Sequence, residues 1–401
     1  MTHTLTDMTH MAAKMSKDAK LLISLFLPFF LIHCVQQIYI TYAILLQNQG
    51  FSYQAIGWII GIYSLAAMLT RPLGSWLLEN FGIRKILVLS GVLSFIGCSL
   101  FFFKESAPLL LIGRALSGCA FGIYSMGLFS HQAIAASPKR RGAMFSLLVV
   151  GSILPMGAVG PLGEWLLLSS RYTLYLAIGP VLSIFCCVFG GMVSTAPTKE
   201  IHAEKNWGTY GQLFSSRSFL FLIITGTVVA LVDALTITLS LLTYEQGLVT
   251  SYFLIGASVT AIIVRLPGAG VLNRLPRIPL IAPCGILMAG SMILLSLFPT
   301  NSALVIGGIL FGIGLGAGWP MYLALIGDLL APMLRPKGTA TALFLYDIGF
   351  FVTPLIVGYF LPRFGVTGTF AGIALAAGGI LIFLQGLYWL PAYKKSSPLR
   401  A

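Results

Sequence analysis

"RPLGSWLLENFGIRK", residues Arg71 to Lys85, interrupts an apolar chain with an arginine–proline pair at one end and a glycine with two cations at the other. Hydrophobic runs lie on both sides of it: 57% of the 401 residues are hydrophobic, 9% are charged, and the mean hydropathy is +0.94. A water-soluble domain carries about 25% charged residues, so this balance is that of a membrane protein. A helix needs about 20 apolar residues to cross a bilayer. Twelve runs come to that length, at residues 21–46, 55–78, 86–103, 108–134, 143–168, 172–194, 218–243, 249–272, 278–298, 303–330, 338–361 and 370–390. The first run is too long for a signal-peptide core and no small-residue cleavage site follows it, so it counts as a span. The quoted stretch then covers the end of the second span and the loop that leads to the third.

Charge placement sets the expected topology. With the amino terminus in the cytoplasm, only Lys104, Arg171 and Arg363 fall in outside loops, while Arg71, Arg114 and Arg265 fall within spans. The rest of the 24 Lys and Arg lie on the inside, which is the positive-inside pattern with both termini cytoplasmic. The excess of cations over 11 acids therefore reports topology and gives no reason to expect a nucleic-acid partner. The expected location is a bacterial-type cytoplasmic (inner) membrane, as a multi-pass monomer. All six cysteines lie in apolar runs, without metal-ligand spacing to histidine, and read as small core residues.

The chain repeats itself. At a constant offset of 194 residues, Ser64, Ala67, Arg71 and Gly74 align with Ser258, Ala261, Arg265 and Gly268. The same offset carries Gly113, Gly118 and Gly122 onto Gly307, Gly312 and Gly316, and Pro138 and Arg141 onto Pro332 and Arg335. Chance matches between apolar segments are common, but matched Arg, Gly and Pro at one offset are not. The expected fold is an all-α membrane protein of 12 transmembrane helices in two pseudo-symmetric six-helix bundles. Residues 1–194 form the first half, 195–214 a polar cytoplasmic linker, and 215–401 the second half. Parallel repeats of this kind point to alternating access around a site near the bilayer midplane.

On these residues the quoted loop resembles that between the second and third helices of the major facilitator superfamily, whose pattern is roughly Gly-x-x-x-Asp-Arg-x-Gly-Arg-Arg. Glu79 fills the acidic place, Gly82 the glycine, and Arg84 with Lys85 the basic end. Asn80 replaces a cation, and Gly74–Ser75 covers the small start with a one-residue ambiguity. The second-half copy, "GAGVLNRLPRIP", has Asn273 where Glu79 stands. "GRALSGCAFG" in the fourth span is similar to the family's Arg-x-x-x-Gly signature, with Arg114 and Gly118 in place. "GAVGPLGEW" in the fifth, with Gly160 and Pro161, resembles the Gly-Pro-x-x-Gly-Gly element of proton-driven exporters. There Gly163 comes one residue early and Glu164 stands where a glycine is expected. The resemblance implies that Glu79, with Arg84 or a helix N-terminus, latches the two halves; a solvated loop carboxylate is the plainer alternative. Arg71 and Arg265, near cytoplasmic helix ends where snorkelling is easy, read as structural or gating residues, and Gly74, Gly82, Gly160 and Pro161 are further gating candidates.

Ionisable groups within a bilayer cost about 2.5–3.5 kcal/mol each on insertion scales, so each is a functional candidate. Two readings of Arg114 stand: it holds a substrate anion or tunes a nearby carboxylate, or it snorkels to backbone carbonyls. Asp233 and Asp347 are the midplane acids, and desolvation penalises a charged carboxylate, the property a proton carrier needs. Asp233, Asp347 and Arg114 are thus the proton-coupling candidates. Asp233 heads a polar stripe with Thr236, Ser240 and Thr243 at helical spacing. His33, Gln36 and Gln37 cluster on the first span, with Tyr39 nearby. Trp319 and Tyr322 lie in the tenth span, and together with Thr236 and Ser240 these residues are the substrate-cavity candidates. The glycine-rich strings lie inside spans without a preceding strand or a phosphate-binding lysine, so they read as close helix contacts. No nucleophile–base pair or metal cluster is visible, so neither an enzyme nor a cofactor is expected. The expected activity is proton-coupled export (antiport) of a small organic molecule such as a drug or siderophore. Import of a nutrient or siderophore is the alternative.

Overall fold

A computed structural model describes residues 2–135, 141–194, 208–265 and 276–396. Side chains are described from Lys20 to Lys394, apart from Ser75, Glu79 and residues 133–147 and those between the ranges just given. Every regular element among them is helical. Ten helical stretches are long and apolar enough to cross a membrane, and Ser251–Arg265 is a shorter apolar helix. The longest stretch, Pro332–Lys394, holds two spans that meet at Gly365, where φ of 67° and ψ of 173° leave helical geometry. A side chain at that φ is strained, so glycine sits at the junction. The chain is a multi-pass, all-α protein of twelve spans in two six-helix bundles. Leu89, Ile184, Ile263 and Phe383 point outward and are exposed, as a surface covered by lipid requires.

Two expected spans are broken. The first runs to Ile38, turns, and resumes as Tyr42–Asn48. The seventh runs over Arg217–Asp233, tightens into a 3-10 turn at Ala234–Ile237, and resumes as Leu239–Glu245. At the first break the N–H groups of Tyr39 and Ile40 donate to the carbonyls of Gln36 and Gln37, at 3.3 and 3.2 Å. This is three-residue spacing, in a stretch crowded by the β-branched Ile38, Ile40 and Thr41. At the second, the Thr236 hydroxyl donates to the Asp233 carbonyl at 2.6 Å and so competes with the helical bond. The helices before the breaks end at Ile38 and Asp233, 195 residues apart and within one residue of the repeat offset.

Close contacts recur at the same offset. A Cβ on Gly118 would fall 2.1 Å from the Tyr63 carbonyl oxygen, and one on Gly312 would fall 2.5 Å from that of Ala257. Fourth against second span and tenth against eighth therefore share one register. The bundles meet along two seams. In one, the second span lies on the eleventh, where a Cβ on Gly57 would come within 2.5 Å of the Pro354 carbonyl oxygen. In the other, the fifth lies on the eighth, where a Cβ on Gly157 would come within 2.6 Å of the Ser258 Cβ.

Both seams lie toward one face, here the distal face, which carries residues 49–52, 169–171 and 246–250. Gly82 and residues 330–334 lie at the opposite, terminal face, where the first helix begins and the last one ends. The buried core divides accordingly. One cluster joins the whole first bundle to the distal part of the second, through residues such as Val232, Phe253, Phe311 and Val357. The other cluster, with Phe219, Ile281, Leu325 and Trp389, is confined to the terminal part of the second bundle. Among the described residues, the bundles are joined distally and part toward the terminal face.

Candidate functional site

A cavity lies between the bundles at the level of the two breaks. Gln36, Gln37, Tyr39, Tyr63 and Arg114 line it from the first bundle, Ile237 and Phe350 from the second, around about 410 Å³ of space free of protein atoms. Arg114 is buried, with Nε donating to the Ile59 carbonyl at 3.3 Å. Its guanidinium lies 4.7 Å from the Tyr63 ring centre and 5.8 Å from that of Tyr42.

An ion pair crosses the seam between the second and eleventh spans. Arg71 Nε lies 2.8 Å from Asp347 Oδ2, and Nη2 donates to Oδ1 at 3.0 Å. Arg71 is seven residues beyond Ser64, roughly 10 Å along the helix, which places the pair on the terminal side of the cavity. Among the described residues the other ion pair is Arg277–Asp328, 2.6 Å apart near the terminal face. Asp233 sits at its helix break and accepts a hydrogen bond from the Tyr346 hydroxyl at 2.7 Å. Arg265 donates to the carbonyls of Gly316 and Leu315, at 3.3 and 3.2 Å, and its charge acts on Asp233 from beyond ion-pair distance.

The distal end is closed by polar contacts. Glu164 is 2% exposed and accepts from the N–H groups of Thr250 and Ser251, each at 2.6 Å, and from the Ser251 hydroxyl. It thus caps the eighth span with a carboxylate drawn from the fifth. Tyr53 donates to Glu245 at 2.7 Å and Tyr244 to Asn48 at 2.9 Å, both between bundles.

The candidate residues separate in space. Gln36, Gln37, Tyr39 and Arg114 share the cavity wall, and Arg71 is brought to Asp347. His33 is packed inside the first bundle, Nδ1 2.7 Å from the Phe29 carbonyl and its ring 4.2 Å from that of Phe29. Thr236 and Ser240 are buried, and the 3-10 turn keeps them off a common helix face with Asp233. Trp319 and Tyr322 line a second, apolar chamber of about 350 Å³ inside the second bundle, together with Cys284, Met288 and Tyr346. Gly74 packs on Met126 in the fourth span, and Gly160 on Leu254 and Ile40, next to Pro161 inside the fifth helix. Gly82 turns the chain with φ of 75°, and Arg84 Nε donates to the Val193 carbonyl at 2.8 Å. The Glu79 side chain, the second-half copy of the loop up to residue 275, and the linker to residue 207 lie outside the described residues. No group of three or more His, Cys, Asp or Glu is placed to hold a metal among the described residues. Sequence reasoning noted Glu164 only as a departure from a motif, without a role, and passed over Tyr346. The signal for Glu164 was an acid inside an apolar run, in the place of an expected glycine; Tyr346 had only its position beside Asp347.

A model of the family described as Major Facilitator Superfamily matches residues 25–306 and 245–401. A multidrug resistance protein B homolog of Mycobacterium tuberculosis is 28% identical over 178 residues, 43% of this chain and 32% of that protein. Facilitated glucose transporter member 10 of solute carrier family 2, from Mus musculus, is 29% identical over 104 residues, 26% of this chain and 19% of that protein. The chain thus matches about a third or less of the length of these curated relatives. Among solved structures, a variant of the peptide transporter POT with alafosfalin superposes with a TM-score of 0.75 at 16% identity, covering 93% of this chain and 97% of that one. The nucleoside transporter NupG gives 0.71 at 14% identity, covering 93% and 99%. At such identities the likeness is one of fold. Three of these four proteins are named as transporters.

Proposed function

The chain belongs to the major facilitator superfamily, and on that premise we propose that it is a secondary transporter that exports a small organic molecule in exchange for protons. The observation that carries this reading is the Arg71–Asp347 pair, which ties the two bundles together beside the central cavity. A proton on Asp347 removes the charge that Arg71 binds and frees the bundles on the terminal side. A proton entering that one group is thereby linked to the separation that alternating access requires. Asp233, held by Tyr346 within the second bundle, is the second proton candidate. The residues assigned to gating sit on or beside the seams, and Gln36, Gln37, Tyr39 and Arg114 contact the substrate. Export is favoured by the fifth-span element around Gly160 and Pro161, which packs on the eighth span. The halves are residues 1–194 and 215–401, joined by a cytoplasmic linker in a monomer. With both termini cytoplasmic, the terminal face is the cytoplasmic one in an inner membrane.

The test is reconstitution into proteoliposomes with an imposed pH gradient and a panel of metabolites and drugs. A gradient-driven flux in the wild type that becomes gradient-independent in Asp347→Asn supports the reading. Flux that ignores the gradient in the wild type, or coupling retained in both Asp347→Asn and Asp233→Asn, contradicts it.

A further inference from the structure

We propose that the transported molecule is an organic monocarboxylate whose anionic end is held by Arg114. This rests on reading the central cavity as the transport site. Arg114 is a full charge in a nearly dry setting, only 8% exposed. The groups that act on it electrostatically are Tyr63, Tyr42, Tyr175 and Cys98, none of which carries a charge at neutral pH. The described carboxylates within the spans are engaged elsewhere: Asp347 with Arg71, Asp233 with Tyr346, Asp328 with Arg277, and Glu164 with the start of the eighth span. Two tyrosine faces and one backbone carbonyl hold the guanidinium without neutralising it. Arg114 is itself one of the residues that line the cavity, so its charge is presented to that space.

The rest of the wall gives the remainder of the molecule. Gln37 lies on the same wall, and its amide can pair with an O–H or N–H on the ligand. Ile60, Ile237 and Phe350 ask for an apolar body between the two polar ends. One uncompensated cation calls for one negative charge. At the offset of 194, Arg114 corresponds to Gly308, where a Cβ would strike the Phe253 carbonyl oxygen at 2.5 Å. The repeat position in the second bundle therefore has no room for a matching cation.

The experiment is equilibrium binding to the purified protein in nanodiscs, comparing 4-hydroxybenzoate, mandelate and 3-hydroxyoctanoate with their neutral amides. At least one acid is expected to bind at least tenfold more tightly than its amide. Arg114→Gln is expected to erase that difference, and Arg114→Lys to keep part of it. Gln37→Leu, which leaves the charge in place, is expected to weaken the hydroxy acid severalfold while the acid-over-amide preference survives. An amide that binds as well as its acid, an acid preference that persists in Arg114→Gln, or no acid binding at all overturns the assignment. Binding is measured without a gradient, so failure of proton-coupled flux in proteoliposomes leaves this result standing, and the reverse also holds.

Discussion

Arg71 and Asp347 are 276 residues apart in sequence and 2.8 Å apart in the fold. Both were legible as ionisable groups in apolar spans. Their partnership was not, because spacing along a chain carries no distance between helices that pack only after folding. The same gap hid Tyr346 as the donor to Asp233. Removing one member of a buried pair leaves an uncompensated charge, which costs about 3–5 kcal/mol, whereas removing both costs far less. Arg71→Met and Asp347→Leu are each expected to lower the thermal midpoint of the purified protein. The double variant should be more stable than the sum of the single losses requires. Strict additivity in that cycle would show that the two side chains do not act on each other.

At the scale of elements, the spans themselves were readable because length and apolarity decide whether a helix crosses a bilayer. The breaks in the first and seventh were not, since hydropathy is blind to a change from four-residue to three-residue hydrogen bonding. They matter because Gln36, Gln37 and Tyr39 reach the cavity from one break, while Asp233 sits at the other. Glu164 shows an element-level contact that a motif can conceal: the departure from the expected glycine is the group that caps the eighth span. Hydrogen bonds to a charged acceptor are worth about 1.5–3 kcal/mol each, and a glutamine would lose the charge and turn its NH2 toward one of the two N–H donors. Glu164→Gln is therefore expected to loosen the distal closure. In a background freed of the six native cysteines, a cysteine at Ser64 should be labelled severalfold faster by an impermeant thiol reagent from the distal side. An unchanged labelling rate would remove Glu164 from the closure.

At the scale of the whole molecule, an offset of 194 residues was enough to see the repeat, and the structure gives the offset its physical content. Second and eighth spans receive the same glycine contacts from the fourth and tenth, and both seams between the bundles lie toward the distal face. Which face is closed could not be read from composition, because the sequence is the same in every conformation. The repeat is also unequal where chemistry is concentrated: Arg114 has a glycine for a counterpart, and Arg71 pairs across the seam while Arg265 stays with backbone carbonyls. Such inequality fits two bundles that rock as similar bodies around a site built mostly from one of them. The most direct test measures distances between spin labels at Asn80 and Met333 on the terminal face, and at Ser169 and Gln246 on the distal face, across a pH series. Acidification is expected to lengthen the terminal distance in the wild type, and Asp347→Asn to hold the long distance at every pH. A terminal distance that ignores pH, or an Asp347→Asn protein that titrates like the wild type, would contradict a proton-released tie between the bundles.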